Sequence, residues 1–187
     1  MACKSLSGFT YDRCEPNLGG IKKVWLADYK EMTLTIDSAT GDTENMVIGF
    51  SPASSAVTAI TWYEYPMRQN VASMTSTLQV GDEGGNWVQT DLNMVFSKMD
   101  TDKSVAMVSL IQAEAMAIVL DANNKYWFLG AENPLVISAG AGETGTAKSD
   151  PNHYTVTVQD AATEYPYEID PTFAKQTIEN GSLTKSV

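Results

Sequence analysis

Two runs of strict alternation, Met74 to Val80 and Val88 to Phe96, constrain this chain more than any other feature. In the first, Met74, Ser76, Leu78 and Val80 share a face. In the second, Val88, Thr90, Leu92, Met94 and Phe96 share one, and Gln89, Asp91 and Asn93 point the other way. A period of two is the mark of a half-buried strand. Between the runs, Gly81-Asp82-Glu83-Gly84-Gly85-Asn86 is rich in residues that accept positive φ, so the spacing predicts a hairpin.

Further strands are expected at Ile21–Tyr29, Glu31–Asp37, Met46–Phe50 and Val57–Tyr65, with Met32, Leu34 and Ile36 facing inward. Others follow at Ala117–Leu120 and Lys125–Leu129, joined by Asn123-Asn124, then at Leu135–Ile137 and Tyr154–Gln159. Pro166 marks Glu164–Ile169 as an edge strand. One helix is predicted from Asp100 to Glu114, capped by Asp100, with Val105, Val108, Ile111 and Ala115 at helical spacing. The glycine-rich stretch Ser138–Asn152 reads as a mobile loop, and the polar tail from Phe173 as a fraying end. With no repeat of solenoid length, the chain is expected to be one domain over 1–187. It divides into an irregular segment 1–20, a core 21–170 and a tail 171–187. The fold class is mainly β, a mostly antiparallel sandwich or barrel with one flanking α-helix.

The 187 residues, 43% of them apolar, suffice for one substantial core. Acidic residues outnumber basic ones 23 to 12, a net charge of −11 that favours solubility and disfavours attraction to nucleic acid or anionic lipid. Cys3 and Cys14 can close one local bridge or stay reduced; with His153 as the other soft ligand they match no zinc spacing. The N-terminus lacks an apolar leader core and no stretch is apolar enough to span a bilayer, which predicts cytoplasmic folding without a membrane anchor.

No catalytic constellation, cofactor site or metal site emerges, so the chain is not expected to be an enzyme. His153 stands alone beside Asp150, and Ser54 and Ser55 sit in no Gly-x-Ser-x-Gly elbow. Gly140 to Gly145 fits Gly-x-Gly-x-x-Gly loosely, but a strand follows where dinucleotide binding needs a helix, so a flexible loop is expected. Asp82-Glu83 and Asp100 with Asp102 lack the ligand spacing of a calcium loop. Trp62, Tyr63 and Tyr65 suit either a sugar platform or, better, a mixture of core and subunit interface.

Laid out in this order, the chain resembles the tail tube proteins of long-tailed bacteriophages and the tubes of contractile injection systems. The resemblance covers most of residues 17–170. It rests on single-domain length, the long hairpin around Gly81–Asn86, the helix Asp100–Glu114 followed by the hairpin Ala117–Leu129, and an Asp37–Ala56 segment long enough to reach a neighbouring ring. Locally, Cys3…Cys14…Gly19-Gly20-Ile21-Lys22 and Asn124-Lys125-Tyr126-Trp127-Phe128-Leu129-Gly130 resemble structural proteins of phages and prophages of the Bacteroides group.

What the resemblance implies is a structural virion protein whose hexameric rings stack into a hollow tube for DNA ejection. Its partners would be copies of itself, other tail proteins, and DNA passing without specific binding. It would be made in the bacterial host cytoplasm and end in the virion tail. Edge strands would pair across subunits into a continuous barrel. Glu31 and Asp37, or Gln89 and Asp91, are the candidate lumen-facing residues of a negative wall that repels phosphates. Asp37, Gly41, Asp42 and Asn45 are candidates for an inter-ring loop. Two alternatives stand beside this: a capsid decoration or host-attachment module using Trp62 and Tyr63 on a glycan, and a head–tail connector or tail terminator ring.

Overall fold

The computed structural model describes residues 17–38, 45–67, 71–82 and 84–184. In chain order these form β1 (Ile21–Asp28), β2 (Met32–Ile36), β3 (Val47–Pro52), β4 (Tyr63–Pro66), β5 (Ser73–Val80), β6 (Asn86–Ser97) and α1 (Thr101–Gln112). Then come β7 (Ala115–Asp121), β8 (Tyr126–Leu129), β9 (Val136–Glu143), β10 (His153–Ala162), β11 (Tyr167–Ile169) and α2 (Pro171–Asn180). The strands make two open sheets, one of seven strands ordered β2-β3-β11-β8-β7-β1-β4 and one of four ordered β5-β6-β10-β9. Every pairing is antiparallel except that of β11 with β3. The barrel alternative is not met within one chain: neither sheet closes on itself.

The two sheets pack face to face. Alternation in β6 buries Val88, Thr90, Leu92, Met94 and Phe96, as its period predicts. Leu92, Met94, Phe96, Val156 and Val158 of the small sheet meet Val24, Leu26, Ala117, Val119 and Leu129 of the large one. The far face of the large sheet is apolar too, because β1 and β7 are buried on both sides. There Trp25, Phe50, Ile118 and Phe128 form a second core with Ile60 and Trp62 and with Phe173 and Ala174 of α2. The architecture is therefore three-layered: small sheet, large sheet, then α2 with the 57–62 segment.

That third layer corrects the expectation of a frayed tail and a single helix. Asp170 caps α2 by accepting from the backbone N–H groups of Thr172 (3.0 Å) and Phe173 (2.9 Å), and Pro171 takes the first turn. Gly181 ends the helix at φ 65° in the left-handed region, and its carbonyl accepts from Ile60 N at 3.2 Å. A Cβ at Gly181 would stand 2.5 Å from the Ile60 carbonyl oxygen. Gly181→Ala is therefore expected to cost at least about 1–2 kcal/mol, read as a lower melting temperature. Gly19→Ala is the neutral control, since a Cβ there meets nothing within 4 Å.

Four other expectations shift. Of the Val57–Tyr65 run only the end from Tyr63 is strand, in β4; the rest lies beside α2 in the third layer, where Ile60 and Trp62 are buried. The first part of the Ser138–Asn152 loop is strand, since Val136–Glu143 pairs along β10 from Gln159 to His153, and only Thr144–Asn152 connects the two strands. The expected edge strand at 164–169 shortens to β11, which sits inside the large sheet between β3 and β8. On β2, Met32 is buried and Ile36 is exposed.

Candidate assembly surfaces

In the small sheet, the face away from the core carries Thr75 and Thr77 of β5, Gln89, Asp91 and Asn93 of β6, and Thr155, Thr157 and Gln159 of β10. This follows from their registers opposite the buried partners. Hydroxyls and amides dominate it, with Trp87 and Val95 of β6 and Val136 and Ala139 of β9 on the same face. Asp91 is its central carboxylate and accepts from the Gln159 amide at 3.1 Å and the Gln89 amide at 3.4 Å. These two amides tie three neighbouring side chains into one hydrogen-bonded row.

Among the described residues, no strand pairs with either outer edge of this sheet. Ser-Met-Thr-Ser-Thr-Leu-Gln-Val of β5 carries no charge, and β9 carries none before Glu143. Charged side chains, prolines and extreme brevity are how edge strands normally discourage pairing with another chain. The large sheet uses such devices at its own edges: β2 is five residues long, and β4 ends at Pro66 with Glu64 paired to Lys23 of β1 at 3.0 Å. Leu78, Val80 and Val136 lie exposed along the small sheet's two edges.

Helix α1 adds a third surface. Asp100 caps it as predicted, accepting from Lys103 N at 2.9 Å and from the Lys103 ammonium at 2.7 Å; the Lys103 hydrogen bonds hold the Asp100 carboxyl below its ordinary pKa. Its packing face differs from the expected one. Met107 and Leu110 are buried, while Val105, Val108 and Ile111 face solvent at 63%, 54% and 65% exposure. The run Val105-Ala106-Met107-Val108-Ser109-Leu110-Ile111 is apolar around most of the helix, which was the available signal that two faces need cover. Between α1 and β9 lies an apolar cleft of about 450 Å³ lined by Met107, Ile111, Ile137, Gly140, Gly142 and Tyr154.

The sequence candidates separate in space. Gln89 and Asp91 lie on the polar face of the small sheet. Glu31 and Asp37 flank β2 at the edge of the large one, so the two pairs do not share a face. Asp37 and Asn45 close the β2–β3 hairpin: Asn45 N donates to Asp37 O and Asp37 N to Met46 O, each at 2.9 Å. Gly41 and Asp42 lie outside the described residues, as do Cys3 and Cys14. The aromatic group is split. Trp62 is buried, Tyr65 packs tilted against Phe96 with ring centroids 5.8 Å apart, and Tyr63 alone of the three is exposed. Gly140 and Gly142 are strand residues, which corrects the loop reading of the Gly-x-Gly-x-x-Gly match up to Glu143, while Gly145, at φ 70°, lies in the connection that follows.

Among the described residues, no group of three or more His, Cys, Asp or Glu side chains is placed to hold a metal ion. No helix among them is long and apolar enough to cross a membrane. No family model matches the chain, and no curated protein matches it significantly.

Proposed function

We propose that this chain is a self-assembling structural subunit that forms rings, of the kind that stack into a phage tail tube and conduct DNA. The observation that carries this reading is the pair of unprotected edges on one four-stranded antiparallel sheet. Strand direction alternates along β5-β6-β10-β9, so β5 and β9 run oppositely. A rotation about an axis along the strands therefore brings β9 of one copy against β5 of the next in antiparallel pairing. Such a head-to-tail contact closes into a ring and leaves no edge exposed. The barrel is then a property of the ring and not of the chain.

With the core side facing out, the Thr, Gln and Asn face lines the channel, and Asp91 repeats once per subunit. A wall of hydroxyls and amides, with Trp87, Val95 and Val136 among them and scattered carboxylates but no cluster of cations on the described strands, gives phosphates little to hold. In this reading the protein's partners are its own copies and other tail proteins, and its place is the virion.

Size measurement with negative-stain imaging tests the proposal. The parent chain is expected to form rings or tubes, and Thr77→Lys, which puts a charge on the β5 edge, to stay at 20.3 kDa. A parent that remains a single 20.3 kDa species at every concentration overturns the ring. Glycan affinity in that species would move the function to an attachment module.

A further inference from the structure

We infer that neighbouring copies join with a fixed stagger, in which the next copy's β5 slides along β9 and seats Leu78 under α1. This rests on the ring reading and adds to it a register and a contact. Across the small sheet, Met74 lies level with Ile137 through Leu92 and Val158. Joined level, the next copy's β5 would meet β9 only around Met74 and Ile137. Ser76–Val80 and Gly140–Glu143 would both be left unpaired. Sliding by four pairing positions, the distance from Leu92 to Phe96 on β6, so that Met74 meets Gly142, pairs both edges over their whole length; at 3.3–3.4 Å per residue the shift is roughly 13 Å.

Barrel geometry sets the same distance independently. Strands tilted by about 35–45° and spaced about 4.8 Å apart must be offset by roughly 13–19 Å over four strands. The edge lengths of this sheet thus demand an offset at the lower end of the range that closure demands.

Side-chain chemistry agrees as well. Leu78 and Val80 belong to the core face of β5 yet are exposed, because the sheet ends there. Ile137, Gly140 and Gly142 belong to the core face of β9, opposite Val158, Val156 and Tyr154. The offset carries the next copy's Leu78 beside Ile137 and its Ser76 beside Gly140. Gly140 leaves the cleft beneath Ile111 open on that side, since a Cβ there would meet only the Thr155 carbonyl oxygen at 3.8 Å, whereas the Tyr154 ring already covers Gly142. Val108, one turn before Ile111, extends the apolar roof, so the exposed shoulder of α1 gains a cover that the described residues of its own chain do not provide. In a level joining Leu78 would pass beyond the end of β9 and α1 would stay bare.

Paired cysteines in a chain with Cys3 and Cys14 changed to serine read the register directly. Thr77→Cys with Ala139→Cys matches the staggered pairing, and Thr75→Cys with Val136→Cys the level one. On mild oxidation of assembled protein, the first pair should give a covalent ladder in multiples of 20.3 kDa and the second should not. Ile111→Asp should keep the parent's circular dichroism, since the side chain is exposed, and lose assembly at least tenfold in critical concentration. Linking by the second pair only, or by neither while the parent forms rings, overturns the stagger and leaves the ring intact. Undiminished assembly of Ile111→Asp overturns the seat under α1. A parent that never assembles removes this inference together with the ring.

Discussion

Phe173→Ala is expected to destabilise the chain by about 3–5 kcal/mol, seen as a lower urea midpoint with little change in slope. Phe173 is fully buried and sits edge-on to Phe50 with ring centroids 5.1 Å apart; Phe50 in turn lies 4.9 Å from Phe128. Truncation removes one ring from a three-ring cluster and leaves a void that β3 and β8 cannot collapse into, since both are held in the sheet by their neighbours. The exposed Lys175→Ala on the same helix should stay within about 0.5 kcal/mol. If Phe173→Ala unfolds within about 1 kcal/mol of the parent, α2 is an appendage, and the three-layer description is wrong.

The signals for α2 were in the sequence. Asp170-Pro171 at the start and Asn180-Gly181 at the end are a cap, a first-turn proline and a left-handed stop. A polar composition concealed them, for the helix buries only Phe173, Ala174 and Thr177. By contrast β6 announces itself, because its period is unbroken from Val88 to Phe96 and one face meets the core throughout. β9 could not announce itself: Ser-Ala-Gly-Ala-Gly has no local preference for a strand, and its conformation comes from pairing with β10, residues away in sequence. The packing face of α1 was hidden for a similar reason. Met107 and Leu110 are no more apolar than Val108 and Ile111, and only the position of the two sheets decides which pair is covered.

The candidate lumen residues show the same division. Gln89 and Asp91 were assigned to the solvent face of their strand by alternation alone, and they lie there. Which sheet offers open edges is a matter of topology, which alternation does not contain. An acidic composition therefore says less about a channel than the uncharged edges of β5 and β9 do.

Asp160→Asn is expected to leave the chain at least as stable as the parent at pH 7, by up to about 1–3 kcal/mol, and to flatten its dependence on pH. The carboxyl is 5% exposed, on the core face of β10. One oxygen accepts from Gly130 N at 3.0 Å, and the other is buried without a hydrogen-bond partner. Burial pushes its pKa up; the Gly130 N–H opposes the shift, and the negative charge of Glu132 adds to it. A raised folded value means that the fold prefers the neutral acid. Its contribution is fully present below the unfolded carboxylate range and is lost as pH rises through the folded pKa. Asparagine keeps an acceptor for Gly130 and carries no charge at any pH, so the two proteins should converge in acid and separate near neutrality. Urea midpoints at pH 4 and pH 7 measure this directly. A variant less stable than the parent at pH 7, with the parent insensitive to pH, would mean that the Asp160 charge is stabilised in the folded chain and that burial does not set its ionisation.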